Sequence, residues 1–285
     1  MRGRDHLTES FGDRVCAAVK LHGPLCVGID PSSTLLTSWG MTDDAKGLRA
    51  FCRVSVDAFA GIVGVIKPQV AFFERHGAAG LEALEHLLAD ASAAGLLVIA
   101  DAKRGDIYST SVAYADAWLR DDSPLAADAM TAHAYLGLGA LEPMLRLAAG
   151  NGRGVLVVAR SSNPEGRSLQ EARTAGGTTV EDMLLGEIAA RNASPDVPDG
   201  TVGAVVGATL ESSTFLLSQL RGVVLAPGLG AQGATPADVA ARFRDCPSGT
   251  VLPSASRAVL QAGPDPKALR RRAETFGREL ASLMP

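Results

Sequence analysis

Short apolar runs rich in β-branched residues alternate with amphipathic segments along most of the chain. The runs are apolar throughout, which is typical of strands buried on both faces. They occupy residues 25–29, 62–66, 96–100, 129–132, 154–159, 202–208, 223–226 and 250–252. Apolar residues recur at helical spacing in segments between and after these runs, over residues 78–94, 138–149, 180–191, 236–244 and 266–283.

The spacing of the apolar runs predicts a barrel. The first five runs end near residues 30, 67, 101, 131 and 160, and each interval fits one strand–helix unit. Eight such units predict an α/β fold, a single (β/α)8 barrel over residues 1–285 with 1–24 as an N-terminal segment. An open doubly wound sheet is the alternative, but it does not require eight similar units. A long polar loop at 163–179 follows the fifth strand, and the repeat resumes after it.

Composition narrows the classes of protein that remain. The net charge is −4, which argues against a nucleic-acid protein or a basic membrane-surface protein. No stretch approaches ~18 uninterrupted apolar residues, and the charged N-terminus leaves no room for an apolar signal region. The four cysteines form no CxxC pair, which favours buried thiols in a reduced compartment. We therefore expect a cytoplasmic protein that contacts neither nucleic acid nor membrane.

Charged residues concentrate where the first three predicted strands end. Asp30 follows the first strand, Lys67 ends the second, and Asp101, Lys103 and Asp106 follow the third. Active sites of such barrels lie at the carboxyl ends of the strands. Strand alternation puts Asp101 and Lys103 on the same side, where opposite charges offset each other's desolvation. A paired cluster that only closes the barrel is the alternative, but five charges on three consecutive strand ends favour an active site.

Two later segments suggest ligand binding. Glycine-rich residues 226–233 follow the seventh strand, and 253–257 follow the eighth; in phosphate-binding barrels these loops hold the phosphate. Glycines permit close backbone approach, and Arg257 can bind a phosphate bidentately. Hydroxyls and an amide in 160–164 suit a polar heterocycle, although an ordinary turn before proline is the alternative. Thr131 can face the same mouth, whereas a lone His133 at a strand end is more often structural.

These motifs together resemble a known family. The run Asp101-x-Lys103-x-x-Asp106, followed by Ile107, occurs with Lys67 before it and with 162–164 and 227–233 after it. In this order they resemble the orotidine 5'-phosphate decarboxylase family, and within it the longer group often found in actinobacteria. The resemblance runs from about residue 11 to about residue 280. His133 and residues 210–220 depart from the family pattern.

The resemblance implies a reaction. The substrate would be orotidine 5'-monophosphate, and the products uridine 5'-monophosphate and carbon dioxide. Lys103 would stabilise the carbanion at the pyrimidine C6 and then donate the proton, with Asp101 beside the scissile carboxylate. Asp106 would reach into the partner's active site across a two-fold homodimer. Relatives use no metal and no organic cofactor, so we expect none here.

The resemblance also implies the binding residues. Asp30 and Lys67 would bind the ribose hydroxyls, and Ser162 would contact the pyrimidine edge. Gln232 would bridge the base and the phosphate, and Arg257 would bind the phosphate. The other residues expected to bind substrate are Thr131, Pro227 and Ser256.

Two alternatives remain open at this point. Keto-gulonate phosphate decarboxylases and hexulose phosphate synthases share a similar Asp-x-Lys-x-x-Asp run but depend on magnesium. They carry an acidic residue at the end of strand two, where this chain has Lys67, a cation that would repel the metal. A barrel that binds a phosphorylated ligand without turning it over is the second alternative.

Overall fold

A computed structural model describes residues 9–209, 215–231 and 233–284. Within those ranges, eight parallel strands close into one barrel in sequence order, as the repeat predicts. The strands are β1 (Cys26–Ile29), β2 (Val65–Pro68), β3 (Leu97–Arg104), β4 (Ala129–Ala132), β5 (Gly154–Arg160), β6 (Val202–Val206), β7 (Val224–Pro227) and β8 (Val251–Ala255).

Helices cover the outside of the barrel. They are α1 (Phe11–His22), α2 (Ser33–Ser38), α3 (Ala45–Phe59), α4 (Ala71–Glu74), α5 (Gly77–Ala93), α6 (Tyr108–Leu119), α7 (Glu142–Gly150), α8 (Arg167–Gln170), α9 (Val180–Asn192), α10 (Pro236–Phe243), α11 (Arg257–Leu260) and α12 (Pro266–Leu283). Short 3₁₀ turns lie at Leu138–Leu141, Pro164–Gly166 and Leu217–Gln219. Within the described residues, no helix combines the length and apolar character needed to cross a membrane.

The observed strands differ from the predicted ones mainly at β2 and β3. The apolar residues Ile62 and Val63 belong to the turn that ends α3, because both amides donate to the carbonyl of Phe59 after Gly61 adopts a positive φ of 70°. Strand β2 therefore begins later than predicted. Strand β3 continues past its apolar run to Arg104, which pairs with Ala132 of β4. Asp101 and Lys103 thus lie within β3, whereas Asp106 follows the strand.

The amino-terminal end of the barrel is closed by an apolar plug from α1. Ser10 caps this helix by accepting a hydrogen bond from the Asp13 amide at 3.0 Å, which fixes where the helix begins. Phe11 and Val15 are completely buried against the inward-facing side chains of the strands. The strand residues of this cluster are Cys26, Val65, Ile99, Ala129, Leu156, Val205, Leu225 and Leu252. The larger core lies between the outer faces of the strands and the helices.

The polar loop predicted at 163–179 is partly ordered by its own hydrogen bonds. It contains the Pro164–Gly166 turn and α8, and an antiparallel bridge joins Arg173 to Thr179. Thr179 then caps α9 by accepting from the Asp182 amide at 3.2 Å. The segment is therefore a folded loop with its own short helix and bridge, rather than an extended connection.

We predict that Phe11→Ala lowers the free energy of unfolding by about 3–5 kcal/mol, because it removes a buried ring from the plug and leaves a cavity. Urea unfolding followed by circular dichroism measures this loss. Leu21→Ala, on the same helix but with Leu21 77% exposed, is the control and should change the free energy by less than about 0.5 kcal/mol. Equal losses in the two variants would contradict the assignment of Phe11 as a plug.

Candidate active site

The carboxylate of Asp101 is the centre of a buried ionic array at the carboxyl ends of β2, β3 and β4. Its Oδ2 accepts from Lys67 Nζ at 2.8 Å and from Gln69 Nε2 at 3.1 Å. Its Oδ1 accepts from Lys103 Nζ at 2.5 Å and from the Thr131 hydroxyl at 2.8 Å. Both carboxylate oxygens are therefore saturated by donors, two of which are cations.

A break in regular strand geometry puts Lys103 beside Asp101. The pairing of β3 with β4 shifts register between Ala100 and Arg104, and Lys103 has a left-handed backbone with φ 48°. That conformation is uncommon for a side chain with a Cβ, so it needs support from its surroundings. The Lys103 amide donates to Thr131 Oγ1 at 2.9 Å, which provides such support. Regular strand alternation predicted that Asp101 and Lys103 lie side by side. In the structure they do so because β3 departs from regular pairing between Ala100 and Arg104.

The array keeps its groups charged despite burial. Burial alone would lower the pKa of Lys67, but the charges of Asp101 and Asp30 outweigh it and hold that pKa above its ordinary value. Burial would raise the pKa of Asp101, yet Lys67 and Lys103 hold that pKa well below its ordinary range. Lys67 and the Asp101 carboxylate thus stay ionised at neutral pH because they lie together.

A small cavity of about 120 Å³ lies on the Lys67 side of the array. Asp30 and Lys67 line it together with Pro227, Ser256 and Arg257 from the ends of β7 and β8. The buried atoms Asp30 Oδ1 and Ser256 Oγ have no hydrogen-bond partner among the described residues. Because buried polar atoms normally have partners, both atoms are available to a ligand in this cavity.

Two glycines allow the walls of this cavity to approach each other. A Cβ on Gly28 would lie 2.8 Å from the Cβ of Ser256. Gly230 has φ 76°, and a Cβ there would lie 2.6 Å from the Cβ of Ala258. The glycine-rich loop after β7 can therefore pack directly on α11.

A larger cavity of about 720 Å³ lies on the Lys103 side of the array. Lys103, His133 and Ser161 contribute its polar lining, and residues such as Leu169 and Met183 contribute an apolar wall. Burial, together with the nearby Lys103 ammonium, lowers the pKa of His133 and favours its neutral form. Asp101 therefore binds one lysine that lines a small polar cavity and another that lines a larger, partly apolar cavity.

Two of the predicted residues, Ser162 and Asp106, stand apart from this array. Ser162 lines a neighbouring cavity of about 280 Å³ with Arg160 and Thr209, whereas the adjacent Ser161 lines both that cavity and the Lys103 cavity. Asp106 does not line the Lys67 or Lys103 cavities, and its Oδ1 accepts from the Ile107 amide. Gln232 lies outside the residues that the structure describes.

Gln69 is a member of the array that the sequence-based prediction missed. It follows Lys67 by two residues, so the alternation argument used for Asp101 and Lys103 also puts Lys67 and Gln69 on one side. Its backbone pairs with Asp101 in an isolated parallel bridge.

The described residues contain no group of three or more His, Cys, Asp or Glu side chains suited to a metal ion.

Comparison with known proteins identifies the family. The family model described as orotidine 5'-phosphate decarboxylase / HUMPS family matches residues 23–272. The chain belongs to the orotidine 5'-phosphate decarboxylase family. Family members of that name from Salinispora arenicola and Streptomyces coelicolor are 51% and 48% identical, over 93% and 97% of this chain and 95% and 99% of theirs.

A solved structure extends the likeness to the whole fold. The crystal structure of a putative orotidine 5'-phosphate decarboxylase from Streptomyces avermitilis is 48% identical and covers 99% of both chains, with a TM-score of 0.93. The resemblance drawn from the motifs, including the actinobacterial group, is thereby confirmed. The barrel fold is confirmed as well.

We predict that Thr131→Val lowers the free energy of unfolding by about 1–3 kcal/mol, because the Lys103 amide loses its acceptor and the buried Asp101 carboxylate loses a donor. Urea unfolding measures the change. Thr131→Ser keeps the hydroxyl and should retain most of the stability. If the valine and serine variants were equally stable, the hydroxyl would not support the Lys103 backbone.

Proposed function

We propose that the protein catalyses the decarboxylation of orotidine 5'-monophosphate to uridine 5'-monophosphate and carbon dioxide, in de novo pyrimidine biosynthesis. The observation that carries the proposal is that Asp101 binds two lysines, each of which lines a different cavity. A nucleotide with its phosphate toward the small cavity would bring its base to the larger one. The curated relatives, which match this chain over nearly their full length, carry the same activity in their names.

The small cavity suits the phosphate and ribose. Arg257 offers a planar guanidinium for the phosphate, and the loop from Pro227 offers backbone amides close to α11. Asp30 Oδ1 and Ser256 Oγ would take ribose or phosphate hydrogen bonds that the chain itself does not supply. Lys67 would bind a ribose hydroxyl while still paired with Asp101.

Lys103 would perform the chemistry at the base. The bond between C6 and the carboxylate breaks, its electron pair stays on C6, and carbon dioxide leaves. The Lys103 ammonium lies in the larger cavity, where its fixed positive charge stabilises that electron pair as it develops. The same ammonium then donates its proton to C6, which completes the product.

Asp101 would act beside the departing carboxylate. Two lysines hold its carboxylate ionised, so Asp101 would present a negative charge near the leaving group. Its ion pair with Lys103 would also hold the Lys103 ammonium beside the base. Repulsion in the bound substrate would be relieved as neutral carbon dioxide forms. Phosphate binding energy at the other end would hold the ring in place against that repulsion.

The far wall of the larger cavity would recognise the pyrimidine. The Ser161 hydroxyl and the Asn163 amide line this cavity and offer hydrogen bonds to the polar edge of the pyrimidine, and the Ser162 hydroxyl would reach that edge from the neighbouring cavity. We retain the proposal that Ser162 contacts the base and that Gln232 bridges base and phosphate. Ser161 joins them as a candidate because it lines the cavity of Lys103.

A magnesium-dependent reaction of the hexulose phosphate type is less well supported. The end of β2 carries Lys67, buried and paired with Asp101, where a metal site would need an oxygen ligand. We therefore propose that turnover needs no metal ion and no organic cofactor.

We also propose a two-fold homodimer in which each copy contributes residues 1–285 as one barrel domain and Asp106 serves the partner's site. Exposed apolar side chains follow Asp106 along the chain, at Ile107, Tyr108 and Val112, and Tyr135 and Leu136 in the segment after β4 are exposed as well. The two segments that carry them are joined by the hydrogen bond from Ser111 to the Ala140 carbonyl at 3.1 Å. Such a patch favours burial against a second copy.

We predict that Lys103→Ala lowers kcat by at least about 10³-fold, because it removes both the electrostatic stabiliser and the proton donor. The loss of substrate absorbance measures turnover, and calorimetry with uridine 5'-monophosphate should still detect binding. Lys20→Ala, at the opposite end of the barrel, is the control and should retain full activity. Near-normal turnover in the Lys103 variant would overturn the mechanism.

We predict that Lys103→Ala and Asp106→Ala proteins, each inactive alone, regain activity when mixed. Half of the dimers would be mixed, and one of the two sites in each would be intact, which gives about a quarter of the wild-type activity. Differently tagged subunits verify that exchange has occurred. If mixed dimers form and stay inactive, Asp106 does not serve the partner's site.

A further inference from the structure

Arg160, at the end of β5, joins the strand to the middle of the segment 163–179 and to the start of α9, which follows the segment. Its Nη2 donates to Glu171 at 2.6 Å, and its Nη1 donates to Glu181 at 2.5 Å. Glu171 follows α8, and Glu181 lies in the first turn of α9. The Arg160 guanidinium, whose side chain is 12% exposed, thus attaches both the residue that follows α8 and the first turn of α9 to the end of β5.

The strand is shaped to aim Arg160 at the segment. Val158 pairs with Val205 and Arg160 pairs with Val206, so Ala159 is an extra residue and β5 bulges there. A bulge re-aims the side chains that follow it. Here it directs Arg160 away from the barrel interior and toward the two glutamates.

A second set of hydrogen bonds reinforces the same attachment. The Gln170 side chain accepts from the Ser161 amide at 3.1 Å and donates to the Ser161 hydroxyl at 2.8 Å. Arg167 also binds Glu171, at 2.9 Å, so Glu171 is shared between two guanidinium groups. The segment is therefore held to the end of β5 by both charge and amide contacts.

The held segment forms the wall of the cavity that contains Lys103. Leu169 and Gln170 of the segment and Val180 and Met183 of α9 line this cavity opposite Lys103. Arg160 itself lines only the neighbouring cavity. It would therefore act on the base site through the wall and not by contact with the reacting atoms.

We propose that Arg160 is a positioning residue, which keeps the segment 163–179 ordered as the base-side wall before substrate arrives. This rests on the proposed function, because the wall matters only if the base binds beside Lys103. Glu181 is 3% exposed, and burial raises its pKa. Without the Arg160 guanidinium, two carboxylates would face each other at the base of the segment, and the attachment would lose its charge balance.

The test compares Arg160→Ala with Arg153→Ala, because Arg153 precedes the first residue of the same strand at the opposite end of the barrel. Its side chain is 15% exposed and is also bound to a carboxylate, that of Asp121, at 2.8 Å. Two readouts are needed: kcat and KM for orotidine 5'-monophosphate, and the rate of tryptic cleavage after Arg167 and Arg173. The second readout does not depend on activity.

If the ordered wall falls to about a tenth of the population in Arg160→Ala, KM rises about tenfold with kcat changed by less than about twofold. Tryptic cleavage within 163–179 should become faster by a similar factor. Guanidinium chloride at millimolar concentration, but not sodium chloride, should restore part of the affinity. Arg153→Ala should leave KM and cleavage unchanged.

Unchanged KM and cleavage in Arg160→Ala would overturn the positioning role, and so would equal effects in the Arg153 variant. Failure of the proposed function is a separate result, because the wild-type protein would then fail to convert the nucleotide at all. In that case faster cleavage of Arg160→Ala would still report the attachment of the segment.

Discussion

The structure depends on one constraint: a carboxylate that is buried, ionised and shared between two ammonium groups. Asp101 satisfies it because the carboxyl ends of β2, β3 and β4 bring Lys67, Lys103 and Thr131 to its two oxygens. Burying such charges costs more free energy than burying apolar side chains of similar size, so apolar residues would close this end of the barrel with greater stability. Its alternating charges are instead suited to a substrate that changes charge where Lys103 lies.

The two ends of the barrel divide stability from chemistry. At the amino-terminal end, Phe11 and Val15 close the interior with apolar contacts. At the carboxyl end, charged and polar side chains separate a small cavity suited to an anion from a larger one suited to a ring. The long segment after β5, held by Arg160, belongs to this second end, because it supplies the wall that faces Lys103.

Periodicity in the sequence predicted the order and type of the elements well, because every unit repeats the same buried strand and amphipathic helix. Four of the five predicted helices agree with the observed ones within a residue at either end, as at Pro266–Leu283. The fifth, predicted over 138–149, begins with the 3₁₀ turn Leu138–Leu141 and becomes α-helical only at Glu142. The predicted strand boundaries were wrong where apolar residues belong to a turn, as at Ile62, and where a strand continues through charged residues, as in β3. The paired charges at 101 and 103 were predictable from alternation, but the bulge that brings them together was not. The contacts of Arg160 with Glu171 and Glu181 could not be predicted, because residues so far apart in the sequence show no local pattern that would pair them.

The most direct test of the account is an assay of the wild-type protein with orotidine 5'-monophosphate after exhaustive treatment with a metal chelator. The account predicts one mole of uridine 5'-monophosphate and one of carbon dioxide per mole of substrate, at a rate that added magnesium does not change. The fixed ammonium of Lys103 then supplies the stabilisation that a metal would otherwise provide. No release of carbon dioxide, or release only when magnesium is restored, would contradict it.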